Sequence, residues 1–145
     1  MIDLETLPAI GNRSAEQILE LLARPFRPEL IRSRKIAGRD CRYLPVSAVV
    51  ERLNRACNTW GFRIVSHETT PMMLSRWDDE TRKSQPRETP VFTVVGELEI
   101  PELGARQALG LQALDPGGGE DLLKGASSDA LKKCAQLYGM WQPVD

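Results

Sequence analysis

After Gly61 the apolar residues of this chain stop recurring at helical spacing and fall into strand-like segments, and only from Leu123 does helical spacing return. That switch confines the fold to helices packed on a central block of strands, because an apolar period of 3.6 and one of 2 cannot serve the same element. Ahead of the switch, Val46, Val49, Val50, Leu53 and Cys57 follow Pro45 at helical spacing. Earlier still, Ser14-Ala15-Glu16-Gln17 has the form of a capping box, and Ile18, Leu21 and Leu22 give the next helix one apolar stripe, ended by Pro25.

The strand segments expected are 62–68, 72–77, 91–100 and 105–114. In the third, Phe92, Val94, Leu98 and Ile100 alternate with Thr93, Val95, Glu97 and Glu99, the pattern of a sheet covered on one face. Residues 78–90 carry no apolar side chain and read as a long, mobile hairpin loop, and Pro101-Glu102-Leu103-Gly104 as a tighter turn. The fold expected is α+β: a curved antiparallel β-meander of three to four strands on a central helix and a C-terminal helix, one domain over residues 1–145. A chain of 145 residues can bury such a core without disulfides or metal.

In the last helix, Leu123, Ala126, Ala130, Leu131, Cys134, Leu137 and Tyr138 share one face at about 100° per residue, with Lys132 opposite and Lys133 to its side. Asp129 precedes these lysines by three and four residues, the spacing of ordinary surface ion pairs. A second basic cluster shifts the weight toward nucleic acid. From Arg24 to Arg42 stand seven basic side chains (Arg24, Arg27, Arg32, Arg34, Lys35, Arg39, Arg42) against Glu29 and Asp40, and Tyr43 follows directly. Cations for a backbone beside a ring for a base are what a single-strand groove needs.

The net charge of −1 argues against nucleic acid only on average. Residues 1–76 hold twelve basic and eight acidic side chains and residues 77–145 hold seven and twelve, so positive charge can be concentrated in one groove. Other classes fit poorly. No run approaches the roughly 20 apolar residues of a membrane span, and Asp3 and Glu5 stand where a signal peptide would be basic. Cys41, Cys57 and Cys134 are odd in number and widely spaced, as for reduced thiols in the cytoplasm. With His67 the only histidine and no Cys-x-x-Cys, neither metal nor another cofactor is expected. The three glycines after Asp115-Pro116 lead into Glu120-Asp121, acids that suit a helix start, and lack the Gly-Lys-Ser/Thr of an ATP-binding loop.

Leu30-Ile31-Arg32-Ser33-Arg34-Lys35, Cys41-Arg42-Tyr43-Leu44, the helix with Val49, Val50 and Leu53, Trp60-Gly61-Phe62, and the Lys124-to-Lys133 helix closing on Tyr138-Gly139 occur in that order. Together they resemble the annealing domain of the Rad fifty-two family, nearest to its bacterial DdrA-like branch, over about residues 17–139. The resemblance implies a groove for single-stranded DNA lined by Arg34 and Tyr43 and by Lys132 and Lys133. It also implies a closed homo-oligomeric ring in which sheets continue between subunits. Lys124, Arg32, Lys35 and Arg42 are further DNA-binding candidates, Lys124 being equally readable as a snorkelling side chain. Lys133 stands where the eukaryotic pattern has arginine, as does Gln136, so part of the family's charge is missing.

Trp60, Trp77 and Trp141 read as core or interface aromatics. Arg82 and Lys83, among acids in the hairpin, read as a solvated loop rather than a second DNA site. The function expected is ATP-independent single-stranded DNA binding with strand annealing or end protection in DNA repair and recombination. The protein is expected not to be an enzyme, to lie in the cytoplasm near the nucleoid, and to have single-stranded DNA, its own copies and other repair proteins as partners, with no membrane. The alternative is a ring-forming structural or protein-interaction domain without DNA contact. A metal-dependent nuclease using Asp78, Asp79 and Glu80 is a third reading, and no carboxylate or histidine on a flanking strand completes such a site.

Overall fold

A computed structural model of the protein describes residues 7–36, 38–113 and 122–143. The acids at Glu120 and Asp121, the glycines before them and the end of the 105–114 segment at Leu114 lie outside the described residues. Among the described residues the architecture is α+β, with three α-helices, a two-stranded sheet and a three-stranded antiparallel sheet that does not close.

Helix α1, Ala15–Ala23, begins at the expected capping box. The Ser14 hydroxyl accepts from the Gln17 amide at 3.2 Å, and the Gln17 side chain accepts from the Ser14 amide at 2.8 Å. Ile18, Leu21 and Leu22 are buried. A short 3-10 turn, Pro28–Leu30, leads into a hairpin of β1, Arg32–Ile36, and β2, Arg39–Tyr43, reversing at Gly38, whose φ of +79° favours glycine. The basic segment is therefore itself a strand, and Cys41 to Tyr43 belong to its partner in a sheet separate from the meander. Helix α2, Val46–Ala56, buries Ala48, Val49, Leu53 and Ala56.

The meander has three strands, β3 (Gly61–Asp78), β4 (Lys83–Ile100) and β5 (Gly104–Ala113), in the order β3-β4-β5. The two segments expected at 62–68 and 72–77 are one continuous strand. Of the loop expected over 78–90, only residues 79–82 turn, and Lys83 onward pairs back with Asp78. Prolines explain why this was hard to foresee. Pro71 pairs with Pro90, and β5 runs beside β4 only from Val91 onward. Among the described residues the prolines thus sit where each strand of the hairpin has one partner, so a missing N–H can face an open edge.

Helix α3, Leu122–Leu137, crosses β4 and β5 and buries Ala126, Ala130, Leu131, Cys134 and Ala135. Its small residues allow close approach. A Cβ on Gly110 of β5 would collide with the Ala126 carbonyl and with Ala130, so this crossing needs glycine on the sheet. At the end of α3 the buried Tyr138 hydroxyl lies 2.8 Å from the Leu98 carbonyl and 2.5 Å from that of Gly104, tying helix to sheet. One apolar cluster joins α1, α2, β4 and α3 through Leu22, Leu53, Leu98, Ile100 and Cys134. Burial pushes the Cys57 thiol up to about 11 and raises that of Cys134, which keeps both unreactive.

Candidate nucleic-acid interface

The β1–β2 hairpin sorts the basic candidates by pleat. Arg32 pairs with Tyr43 and Arg34 with Cys41, whereas Ser33 pairs with Arg42 and Lys35 with Asp40. Cross-strand partners share a face and neighbours along a strand do not. Arg32, Arg34, Cys41 and Tyr43 therefore occupy one face, and Lys35 and Arg42 the other, with Asp40 opposite Lys35.

The face bearing Tyr43 meets helix α3. The Arg34 guanidinium lies 5.1 Å from the centre of the Tyr43 ring, and the Lys132 ammonium 5.6 Å from the same ring. Lys132 also donates to the Leu44 carbonyl at 3.4 Å, at the end of the hairpin. Two cations almost a hundred positions apart are thus gathered around one phenol, within the range of cation–π attraction. Burial pushes the Lys132 pKa below the ordinary lysine value; Asp129 opposes that shift, and Arg34 and Lys133 add to it. Two cations close together, one half withdrawn from water, hold positive potential that an incoming phosphate would relieve.

Lys133 is placed differently. Its ammonium lies 2.9 Å from a carboxylate oxygen of Asp129, the i,i+4 ion pair foreseen from the spacing. The same Asp129 oxygen accepts from the Leu111 amide of β5 at 2.9 Å, so one carboxylate bridges helix, lysine and sheet. Lys124, in the first turn of α3, is exposed and lies about 12 Å further along the helix axis than Lys132, at 1.5 Å per residue. The structure therefore gathers Arg34, Tyr43 and Lys132, keeps Arg32 on their face and Lys133 beside them under Asp129, and leaves Lys124, Lys35 and Arg42 off that cluster.

Sequence reasoning missed two things here. It read Lys132 as standing opposite the packed face of α3, whereas the hairpin covers it. It also assigned Asp129 no part beyond ion pairing. Alternation of Arg32 and Arg34 with Ser33 and Lys35 was the available signal for the split, and it becomes readable once β1 is taken as a strand.

The hairpin tip holds no comparable constellation. Trp77 is 62% exposed and donates from its indole nitrogen to Asp79 at 3.0 Å, while Asp78 lies 3.7 Å from Arg87. Among the described residues no three His, Cys, Asp or Glu side chains are grouped to hold a metal ion, and no helix is long and apolar enough to cross a membrane.

A family model described as "Rad52/22 family double-strand break repair protein" matches residues 14–141. No curated protein matches the chain. The family match begins at the α1 cap and runs through both sheets to the residues that follow α3, with Arg34, Tyr43 and Lys132 inside it. A match of that extent makes this chain a member of the Rad52/22 family of double-strand break repair proteins.

Proposed function

We propose that this protein binds single-stranded DNA, without ATP, along the face formed by the β1–β2 hairpin and α3, and there anneals complementary strands or shields strand ends. The observation that carries this reading is the convergence of Arg34 and Lys132 on the Tyr43 ring. Arg34 supplies a charge-assisted contact to phosphate, Lys132 a second charge, and Tyr43 a ring for a base or sugar. Contacts of this kind grip backbone and carry no base information, so any strand fits and a bound strand keeps its pairing edges free for a complement. No covalent step is needed, and the protein acts as a binding and pairing device rather than an enzyme.

Self-association into a ring belongs to the same reading. β3 and β5 are the outer strands of the meander, each with one neighbour, and edges of that kind call for a partner or a cover. A ring repeating the Arg34–Lys132 face would multiply weak single grooves and offset the net charge of −1. The same reading places the chain in the bacterial DdrA-like branch, with the nucleoid as the place of action and other repair proteins as partners.

The test is fluorescence anisotropy of a labelled poly-thymidine strand titrated with the protein between about 50 and 200 mM salt. Binding that falls steeply with salt, and that Arg34→Ala and Lys132→Ala each weaken, is the expected result. A folded protein that ignores the strand at the lowest salt would overturn the reading and leave an assembly or protein-interaction domain.

A further inference from the structure

On the side of the molecule built by α1 and α2, two hollows meet. One, of about 320 Å³, is lined by Leu7, Ile10 and Leu21, and the other, of about 180 Å³, by Pro25, Phe26 and Leu30. Arg52 and Arg55 line both, so the hollows adjoin across these two side chains and make a trough in two parts, each with apolar residues in its lining. Ile10 is 40% exposed at its open end.

The walls are cationic. Arg13 and Arg24 border the larger hollow and Arg27 the smaller, in addition to the two shared arginines. Among the described lining residues the one carboxylate, Glu51, is held by Arg55 at 2.8 Å. Two of the arginines are fixed in place. Arg52 donates to the carbonyls of Leu21 and Arg24 at 2.9 and 2.7 Å, and Arg13 to that of Pro8 at 3.0 Å and to that of Arg55. Burial, then the charges of Arg24 and Arg55, lower the pKa of Arg52, as expected where like charges are held together.

We infer that this trough docks an acidic peptide segment of a partner protein, one that alternates carboxylates with apolar side chains. The apolar side chains enter the two floors, and the carboxylates meet the exposed Arg27 and Arg55, whose planar donors suit carboxylate geometry. Charge complementarity selects an anion, and the floor selects an amphipathic one. Nucleic acid fits less well, because a single strand needs a free aromatic face. The ring in this trough, Phe26, is only 7% exposed and has the Arg52 guanidinium 3.9 Å above it. The walls are preformed, since Arg13 and Arg52 are already bound to backbone, so little ordering opposes docking.

The experiment uses the full chain and a short fluorescein-labelled peptide of alternating aspartate and phenylalanine. Two control peptides carry serine in place of phenylalanine or lysine in place of aspartate. Saturable binding of the first peptide and at least about tenfold weaker binding of both controls is the expected result. Arg27→Glu combined with Arg55→Glu, at exposed positions, should weaken the peptide by a further margin of about tenfold while leaving poly-thymidine binding unchanged. Arg27→Ala alone should give a smaller loss in the same direction. Absence of saturable binding, equal binding of the serine peptide, or full retention by the charge-reversed variant overturns the inference. Displacement of the peptide by poly-thymidine overturns it too, in favour of a nucleic-acid backbone site. Peptide binding in a protein that ignores poly-thymidine would instead sink the annealing reading and leave this one standing.

Discussion

Arg34 and Arg52 each lie over an aromatic ring, and they do opposite work. Arg52 sits 3.9 Å above Phe26 with its donors committed to carbonyls at the end of α1. It gives the end of α1 a donor for the Arg24 carbonyl and a second donor for that of Leu21, which also accepts from the Arg24 amide. Arg34 sits 5.1 Å from the centre of the Tyr43 ring on an exposed two-stranded hairpin, and a second cation, Lys132, lies 5.6 Å from the same ring. One arginine has spent its hydrogen bonds on backbone carbonyls, and under the proposed function the other offers its own to phosphate. Position in the sequence does not tell them apart; the neighbours of the guanidinium do.

The sharpest way to break this contrast is to remove each arginine and read two quantities. Arg34→Ala and Lys132→Ala should each weaken poly-thymidine binding about tenfold at moderate salt and lower the salt slope by about one, with unfolding free energy changed by less than about 0.5 kcal/mol for Arg34→Ala. Arg52→Ala should do the reverse. Loss of its carbonyl bonds and ring contact should cost about 2–4 kcal/mol in a urea titration, with DNA affinity of the folded fraction unchanged. If Arg52→Ala weakened DNA binding as much as Arg34→Ala, the division into structural and ligand-facing arginine would fail.

Tyr43 sharpens the comparison from the side of the ring. Tyr43→Leu removes the shared platform and should cost about 1–3 kcal/mol of single-strand affinity, whereas Tyr43→Phe, which keeps the ring face, should bind like the parent in the same anisotropy assay.

The pH response separates the two regions further. Burial lowers both the Arg52 and the Lys132 pKa, and only the lysine can lose its proton under workable conditions. In the folded chain Lys132 binds its proton less tightly than in the unfolded chain. Between its lowered value and the ordinary 10.5, stability should therefore gain from this group as pH rises. DNA affinity should move the other way, falling as pH climbs through the lowered value while ordinary lysines are still charged. Anisotropy against pH, beside Lys132→Arg as a variant that keeps its charge, checks this; parallel profiles for the two proteins would contradict it.

How far the sequence revealed these two regions follows from the range of the interactions involved. The Ser14 capping box and the stripe through Ala126, Ala130, Leu131 and Cys134 are local, and both could be read directly. The three-residue set of Arg34, Tyr43 and Lys132 was legible as family pattern, but its geometry depends on a hairpin docking on a distant helix. The continuous β3 and the long β4 were illegible for a different reason. Thr69-Thr70-Pro71 and the apolar-free residues after Asp78 break any periodic pattern, and only their mutual register makes them strand. The part of Arg52 carries no sequence signal, because capping by a residue from another helix leaves no trace in spacing.

The smallest effect concerns Asp129, which holds Lys133 at 2.9 Å and the Leu111 amide at 2.9 Å. It is the acid next to the Arg34–Lys132 cluster, and it plays toward Lys133 the part that backbone carbonyls play toward Arg52. Asp129→Asn keeps the shape of the side chain and part of its bond to Leu111 while giving up the charge. Stability should fall by about 1 kcal/mol or less, because the ion pair is half exposed and the amide retains an acceptor. DNA affinity at low salt should rise by about twofold to threefold, since Lys133 becomes available and a repelling carboxylate is gone. The gain should vanish toward high salt and in an Asp129→Asn, Lys133→Ala double variant. A gain that survives removal of Lys133 would mean that Asp129 acts on the strand directly, and the lysine it holds would then have no part in the groove.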